Sequence, residues 1–289
     1  MVHHLSTLIL VLLFVSAVPS QTWAQQDTVA APKYGWVHSL VGTLTATQVA
    51  FTDWTQGGDN ALAWGLAGDG KSTNEQEKTS WANSYKVGFG QTRLGDQGIR
   101  KTDDRIDLES MLTYKIAEKI NPYAAATLKT QFAKGYKYDS NGASTMVSQF
   151  FDPAYLTQSV GAVYQPMPEL KTRFGVGLRE IVTSDFPGYA DDPETKDKVE
   201  KIRVAGGLES VTEFAWKLDE NIGFSSKLEM FSTFKNLDEV IVRSDNTLAA
   251  KISKYVTVLL NVQLLNEKAI SPRTQVKETL ALGLSYSFL

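Results

Sequence analysis

The chain has 289 residues, with 29 Lys and Arg against 32 Asp and Glu, a net charge of −3 at pH 7 and no cysteine. That composition excludes disulfides, thiolate metal sites and cysteine nucleophiles, and its interspersed signs give no basic footprint for nucleic acid. The length suits one or two domains, and no Pro/Gly/Ser linker divides the chain after residue 24.

At the N-terminus, LSTLILVLLFVSAV (5–18) is a short apolar run followed by Pro19 and then Thr22-Trp23-Ala24-Gln25. Small residues after such a run read as a secretory signal peptide cut after Ala24. A membrane helix would need about 20 apolar residues. The predicted organisation is a signal peptide at 1–24, a periplasmic N-terminal segment at 25–35 and a single fold over 36–289.

From residue 36 onward, apolar residues recur with a period of two, the signature of strands with one apolar face. The alternation predicts about twelve strands, with ten or fourteen also open. They fall at 36–53, 61–71, 80–93, 103–116, 121–136, 154–164, 170–184, 199–216, 221–234, 239–252, 256–266 and 274–289. Most match or exceed the about 9–11 residues that a tilted strand needs to cross a membrane. In the second segment Leu62, Trp64 and Leu66 oppose Ala61, Ala63, Gly65 and Ala67, and the third places Gly88 and Gly90 on the same face. In the fourth, Ile106, Leu108, Leu112 and Tyr114 oppose Arg105, Asp107, Glu109 and Lys115; the fifth adds Lys129. The seventh sets Phe174, Val176 and Leu178 against Lys171, Arg173 and Arg179, with Gly175 and Gly177 among them. The eighth sets Ile202, Val204 and Leu208 against Arg203, Glu209 and Glu213, and the ninth adds Lys227 and Glu229. The last alternates Leu280, Leu282, Leu284, Tyr286 and Phe288 with Ala281, Gly283, Ser285 and Ser287.

An apolar outer stripe opposite a charged or small-residue face predicts an all-β fold: a transmembrane, antiparallel, up-and-down β-barrel, closed because lipid leaves no partner for a sheet edge. Links at 117–120, 165–169, 217–220 and 253–255 are tight, whereas those at 94–102, 137–153 and 185–198 are long. Short periplasmic turns and longer outer loops give this asymmetry; the link at 71–79 is longer than the rule expects. Threading the chain upward from residue 36 puts Trp36, Trp81, Tyr114, Tyr164, Trp216, Tyr255, Tyr286 and Phe288 at the periplasmic rim. Trp54, Trp64, Phe132, Tyr136, Phe186 and Phe234 fall toward the outer one. Two such girdles are expected at membrane interfaces.

The motif Trp54-x-x-Gly57-Gly58-x-Asn60 after a first strand, the run of amphipathic strands and the ending Leu284-x-Tyr286-x-Phe288 resemble an outer-membrane β-barrel family known as domain of unknown function 3078. The resemblance implies the outer membrane of a Gram-negative bacterium, contact with lipid and lipopolysaccharide, and insertion by the barrel-assembly machinery. It supplies no activity. Leu289 after Phe288 departs from the aromatic last residue usual in substrates of that machinery. The motif itself reads as a hairpin tip, with Gly-Gly supplying positive φ and Asp59-Asn60 capping the turn.

The inward charges predict a narrow pore or binding barrel, acting as a monomer, for small polar or anionic solutes. Arg105, Asp107, Glu109, Lys115, Lys129, Lys171, Arg173, Arg179, Arg203, Glu209, Glu213, Lys227 and Glu229 are the lumen-lining candidates. The same charges could instead form a salt-bridged plug in a non-transporting structural or interaction barrel. A channel for hydrophobic compounds would want an apolar lumen, against which these charges argue. No enzyme is expected: past the signal peptide the one histidine is His38, at the periplasmic start of the first strand, where no outer nucleophile could use it. No cofactor or metal is expected either. Asp191, Asp192, Glu194 and Asp197 offer calcium-type oxygens, but without EF-hand spacing and in a Pro/Gly stretch that reads as a solvated loop.

Overall fold

The computed structural model describes residues 34–50, 59–192, 195, 198–268 and 271–288. The expected signal peptide, the N-terminal segment through residue 33, and Trp54, Gly57 and Gly58 lie outside the described residues. The strands are β1 (Gly35–Val49), β2 (Ala61–Glu75), β3 (Thr79–Leu94), β4 (Ile99–Tyr114), β5 (Ile120–Thr130), β6 (Gly135–Tyr138) and β7 (Ser144–Ser148), followed by β8 (Ala154–Met167), β9 (Leu170–Val182), β10 (Ile202–Lys217), β11 (Ile222–Thr233), β12 (Asn236–Lys251), β13 (Val256–Asn266) and β14 (Gln275–Ser287). Twelve of them close into one antiparallel barrel in which each strand lies beside its neighbours in the chain and β14 returns to β1. The remaining two, β6 and β7, form a separate hairpin in the link between β5 and β8.

Exposure follows the period of two. Phe174, Val176 and Leu178 on β9, Ile202 and Val204 on β10, and Leu280, Leu282 and Leu284 on β14 are all exposed on the outer surface. On the opposite parity Arg173, Arg179 and Glu209 are buried. Polarity is thus inverted relative to a soluble protein, the arrangement of a barrel whose outside meets lipid. The eight aromatics expected at the periplasmic rim are exposed. They cluster, with Trp36 and Trp81 centroids 5.6 Å apart and Tyr286 edge-on to Phe288 at 4.9 Å. At the other rim Phe132, Tyr136 and Phe234 are exposed.

The links alternate between the two rims, and the four longest all lie at one of them. One carries 76–78, 115–119, 168–169, 218–221 and 252–255; the other carries 50–60, 95–98, 131–153, 183–201, 234–235 and 267–274. The long link predicted at 71–79 shrinks because β2 runs on to Glu75, paired with Ser80. The strand predicted to reach residue 136 stops at Thr130. There the Asp104 carboxylate accepts the backbone N–H groups of Phe132 (2.7 Å) and Ala133 (2.9 Å) and draws the chain off the ladder. The long link expected at 137–153 contains β7 and the end of β6, turned by the Asp139 carboxylate, which accepts the N–H groups of Asn141 and Ala143.

Candidate lumenal site

Inward side chains from β3, β4 and β5 meet those of β9, β11, β12 and β14 across the barrel, and ion pairs join walls that share no ladder. Glu109 on β4 accepts from Arg173 on β9 at 2.9 and 3.2 Å and from Lys227 on β11 at 2.8 Å. On the shorter way round, β5, β8, β9 and β10 separate β4 from β11, so the bond to Lys227 crosses the lumen. Arg173 also lies 3.5 Å from Glu209, which accepts the Tyr123 hydroxyl at 3.3 Å. Lys129 on β5 reaches Glu229 on β11, and Lys227 lies 3.3 Å from the same carboxylate. These groups form a balanced, largely dehydrated floor.

Two places are not balanced. Glu267, after the end of β13, is 2 % exposed and accepts from both Arg179 (2.8 Å) and Arg243 (3.2 Å), whose guanidiniums also lie over the Tyr155 ring. Asp245 on β12 is shared by Arg105 at 3.4 Å and Lys86 at 3.7 Å, and it also accepts the Asn261 amide at 2.6 Å. In each case two cations share one carboxylate. Arg105 Nε makes no hydrogen bond, and Lys86, whose register partners are Asp69 and Asp107, approaches Asp245 only at 3.7 Å. Arg105 lies along β3 because Gly88 leaves the space: a Cβ there would come within 3.3 Å of Arg105 Nε and 2.7 Å of Asp103.

Between the floor and the outer rim is a chamber of about 400 Å³, and its wall includes Lys86, Arg105, Asp107, Glu109, Lys129, Lys227, Glu229, Arg243, Asp245 and Lys277. That is the low end of the size of a small-molecule pocket, about 300–1,000 Å³. Six basic side chains stand against four acidic ones in the wall, and two of the six, Arg243 and Lys277, pair with Glu267 and Asp103 just outside it. Lys277 bonds to Asp103 across the lumen.

The residues expected to line the lumen thus separate into groups. Arg105, Asp107, Glu109, Lys129, Lys227 and Glu229 border the chamber. Arg173, Arg179 and Glu209 are buried in ion pairs, so they brace the structure rather than face a path. Lys171 faces Glu213 in register on the neighbouring strand. Arg203, near the outer end of β10 opposite Ile181, is in none of the ion pairs among the described residues. Lys115 lies just past β4 and bonds Glu75 (2.6 Å) and the Gln76 carbonyl (2.8 Å) at the short-turn rim. Small inward residues do not leave open space on β9: a Cβ at Gly175 would meet the Tyr123 hydroxyl at 2.9 Å, so that space is filled. Lys86, Asp245 and Arg243 escaped the sequence reading although their parity on β3 and β12 marks them as inward; Glu267 lies beyond any periodic run.

Outside the lumen, the backbone carbonyl of Asn60 in the hairpin motif accepts the Gly95 N–H at 2.8 Å and so joins two turns of one rim. Residues 46–136 match the family described as Protein of unknown function (DUF3078). That span contains Asn60 and the chamber residues Lys86, Arg105, Asp107, Glu109 and Lys129. No match is found among curated proteins. Among solved structures, the translocator domain of autotransporter NalP from Neisseria meningitidis is 12% identical, over 90% of this chain and 91% of that one, with a TM-score of 0.38. The COG4313 outer membrane channel from Pseudomonas putida F1 is also 12% identical, covering 91% and 98%, with a TM-score of 0.38. A NanC porin is 10% identical, covering 86% and 96%, at 0.35. None of the three bears on what this lumen takes.

His38 stacks on Trp36 at the short-turn rim and bonds Ser72 at 2.8 Å. In the acidic loop, Asp191 accepts the Glu200 N–H at 3.1 Å, and the Glu200 carboxylate accepts the Asp192 N–H and the Thr195 hydroxyl. Glu194 and Asp197 lie outside the described residues. Among the described residues no three His, Cys, Asp or Glu side chains converge as metal ligands.

Proposed function

We propose that the protein is an outer-membrane barrel that binds small anionic solutes in its lumenal chamber and passes them slowly across the membrane. The observation that carries this reading is the chamber of about 400 Å³ in which Lys86 and Arg105 share the single carboxylate of Asp245. A small carboxylate or phosphate placed there would satisfy donors that the chain leaves under-used on Lys86 and Arg105, and those same two cations would repel a cation at that point. The exposed apolar belt and the aromatic rims support the membrane location, and the expected signal peptide supports export. The floor at Glu109, Arg173 and Lys227 favours restricted passage over a wide aqueous channel.

Planar-bilayer recording of the purified barrel tests this. Small conductance steps with anion selectivity are expected, and Lys86→Glu with Arg105→Glu should move the reversal potential toward cations. Silence from a correctly folded sample would sink the transport reading. It would leave the second one, a non-transporting plugged barrel, which the lumen-crossing bonds of Glu109 favour.

A further inference from the structure

The ladder that closes the barrel covers only part of its height. β1 pairs with β14 from Val41↔Ser287 to Thr45↔Gly283, and the Phe288 N–H adds one bond to the Leu40 carbonyl. Continuing that register would set Thr47 against Ala281 and Val49 against Thr279. Among the described residues no such pair forms. Both strands nonetheless continue: β1 stays on β2 as far as Val49↔Ala61, and β14 stays on β13 as far as Gln275↔Leu265. The two strands therefore part company while each keeps its other neighbour.

Accessibility changes at the same level. On the inward parity Thr45 is half-buried and Gly283 buried, whereas Thr47, Val49 and Thr279 are exposed. Leu280, on the outer parity, is 73% exposed. An open sheet edge facing hydrocarbon leaves backbone groups without partners and is strongly disfavoured, so such a slot must be wetted or occupied. Its edges suit both: Thr47, Gln48, Glu278 and Thr279 are polar, and Val49, Leu280 and Leu282 beside them are apolar. The unpaired stretch of β14 also contains Gln275, Val276 and Lys277, which form part of the chamber wall. The slot and the chamber that holds Lys86 and Arg105 are therefore contiguous.

We propose that this slot is a lateral doorway for an anionic amphiphile. Its head would rest on Lys86 and Arg105 while its tail lies against Val49, Leu280 and Leu282 and leads out to the outer half of the bilayer. The proposal rests on the chamber reading above and adds both a ligand class and a route. Charge complementarity selects the head, and the apolar residues at the slot select the tail.

The cysteine-free chain makes the test direct. In the full-length protein, Thr43→Cys with Ser285→Cys should oxidise to a disulfide, because those residues are register partners. Thr47→Cys with Ala281→Cys should stay reduced, since bridging needs Cα atoms within about 7 Å. A fluorophore on Thr47→Cys should respond to dodecanoate with about tenfold higher affinity than to dodecanol, and Lys86→Gln should remove about that factor. The doorway is overturned if the second cysteine pair oxidises as readily as the first. It is overturned too if the fluorophore ignores dodecanoate, or if Ala281→Cys links two chains, which would make the edge a contact between copies. Bilayer conductance reads the chamber separately: loss of anion selectivity with an intact dodecanoate response overturns the small-solute reading and leaves the doorway standing.

Discussion

On β4, β9 and β11 the lumen-facing positions carry Glu109, Arg173, Lys227 and Glu229; on β14, β1 and β2 the same parity carries Ala281, Thr45, Ala63 and Gly65. The first wall is tied to other strands by side chains, so its cross-section is fixed twice, by ladders and by ion pairs. The second has its ladders and one tie across the lumen, from Lys277 to Asp103, and where the β1–β14 ladder stops above Thr45 nothing on those small side chains replaces it. The difference shows why a barrel with a braced floor can still open at one side: rigidity here belongs to a sector rather than to the whole cylinder.

The largest test of that contrast is Arg173→Met. Removing one member of a buried ion pair strands the others and should cost about 3–5 kcal/mol, read from denaturant unfolding of the barrel in lipid vesicles. Adding Glu209→Gln should restore part of the loss, because one orphaned charge goes with it; an unchanged midpoint in the single variant would mean the floor is not a brace. Glu267→Gln comes next, at about 1–3 kcal/mol for donors left short of an acceptor. It should also raise proteolysis after β13, where Glu267 is anchored by Arg179 and Arg243.

A smaller effect lies in the outer links. Asp152 is buried, which works to raise its pKa, but the Thr183 hydroxyl and the backbone N–H groups of Asp185 and Ser184 hold it below the ordinary carboxylate range. Its contribution is therefore fully present above the unfolded value of about 3.9 and is lost as pH falls through the lowered one. Asp152→Asn should cost about 1 kcal/mol at neutral pH and abolish that acid-dependent step, followed by limited proteolysis of 131–153 against pH. At the other extreme, Ala63→Ser on the small-residue wall should stay within about 0.5 kcal/mol; a larger loss would show that this wall is packed as tightly as the charged one.

Strand positions and facing were legible because each strand is read by two different solvents, lipid and lumen, and a period of two records both. Leu280, Leu282 and Leu284 needed no tertiary information to be placed outside, nor did Arg105, Asp107 and Glu109 to be placed inside. Partnership was not legible. Glu109 meets Lys227 only because the circumference and strand tilt bring β4 and β11 to one height, a property of the closed sheet rather than of either strand. β5 ends at Thr130 because a carboxylate on another strand, Asp104, captures the amides of Phe132 and Ala133 just beyond it, which no local pattern announces. The stop in the β1–β14 ladder is equally silent, since Thr47 and Ala281 have ordinary strand composition.

The β6–β7 hairpin has a practical consequence. It forms its own two-stranded sheet and shares no rung with the barrel, and at its tip Gly142 has φ +82° with open space where a Cβ would be. Lengthening the chain there adds only loop entropy, about 0.6 kcal/mol for each doubling of the loop. An epitope tag spliced between Asn141 and Gly142 should leave assembly untouched, and antibody binding to intact cells would then report directly which way up the barrel is mounted.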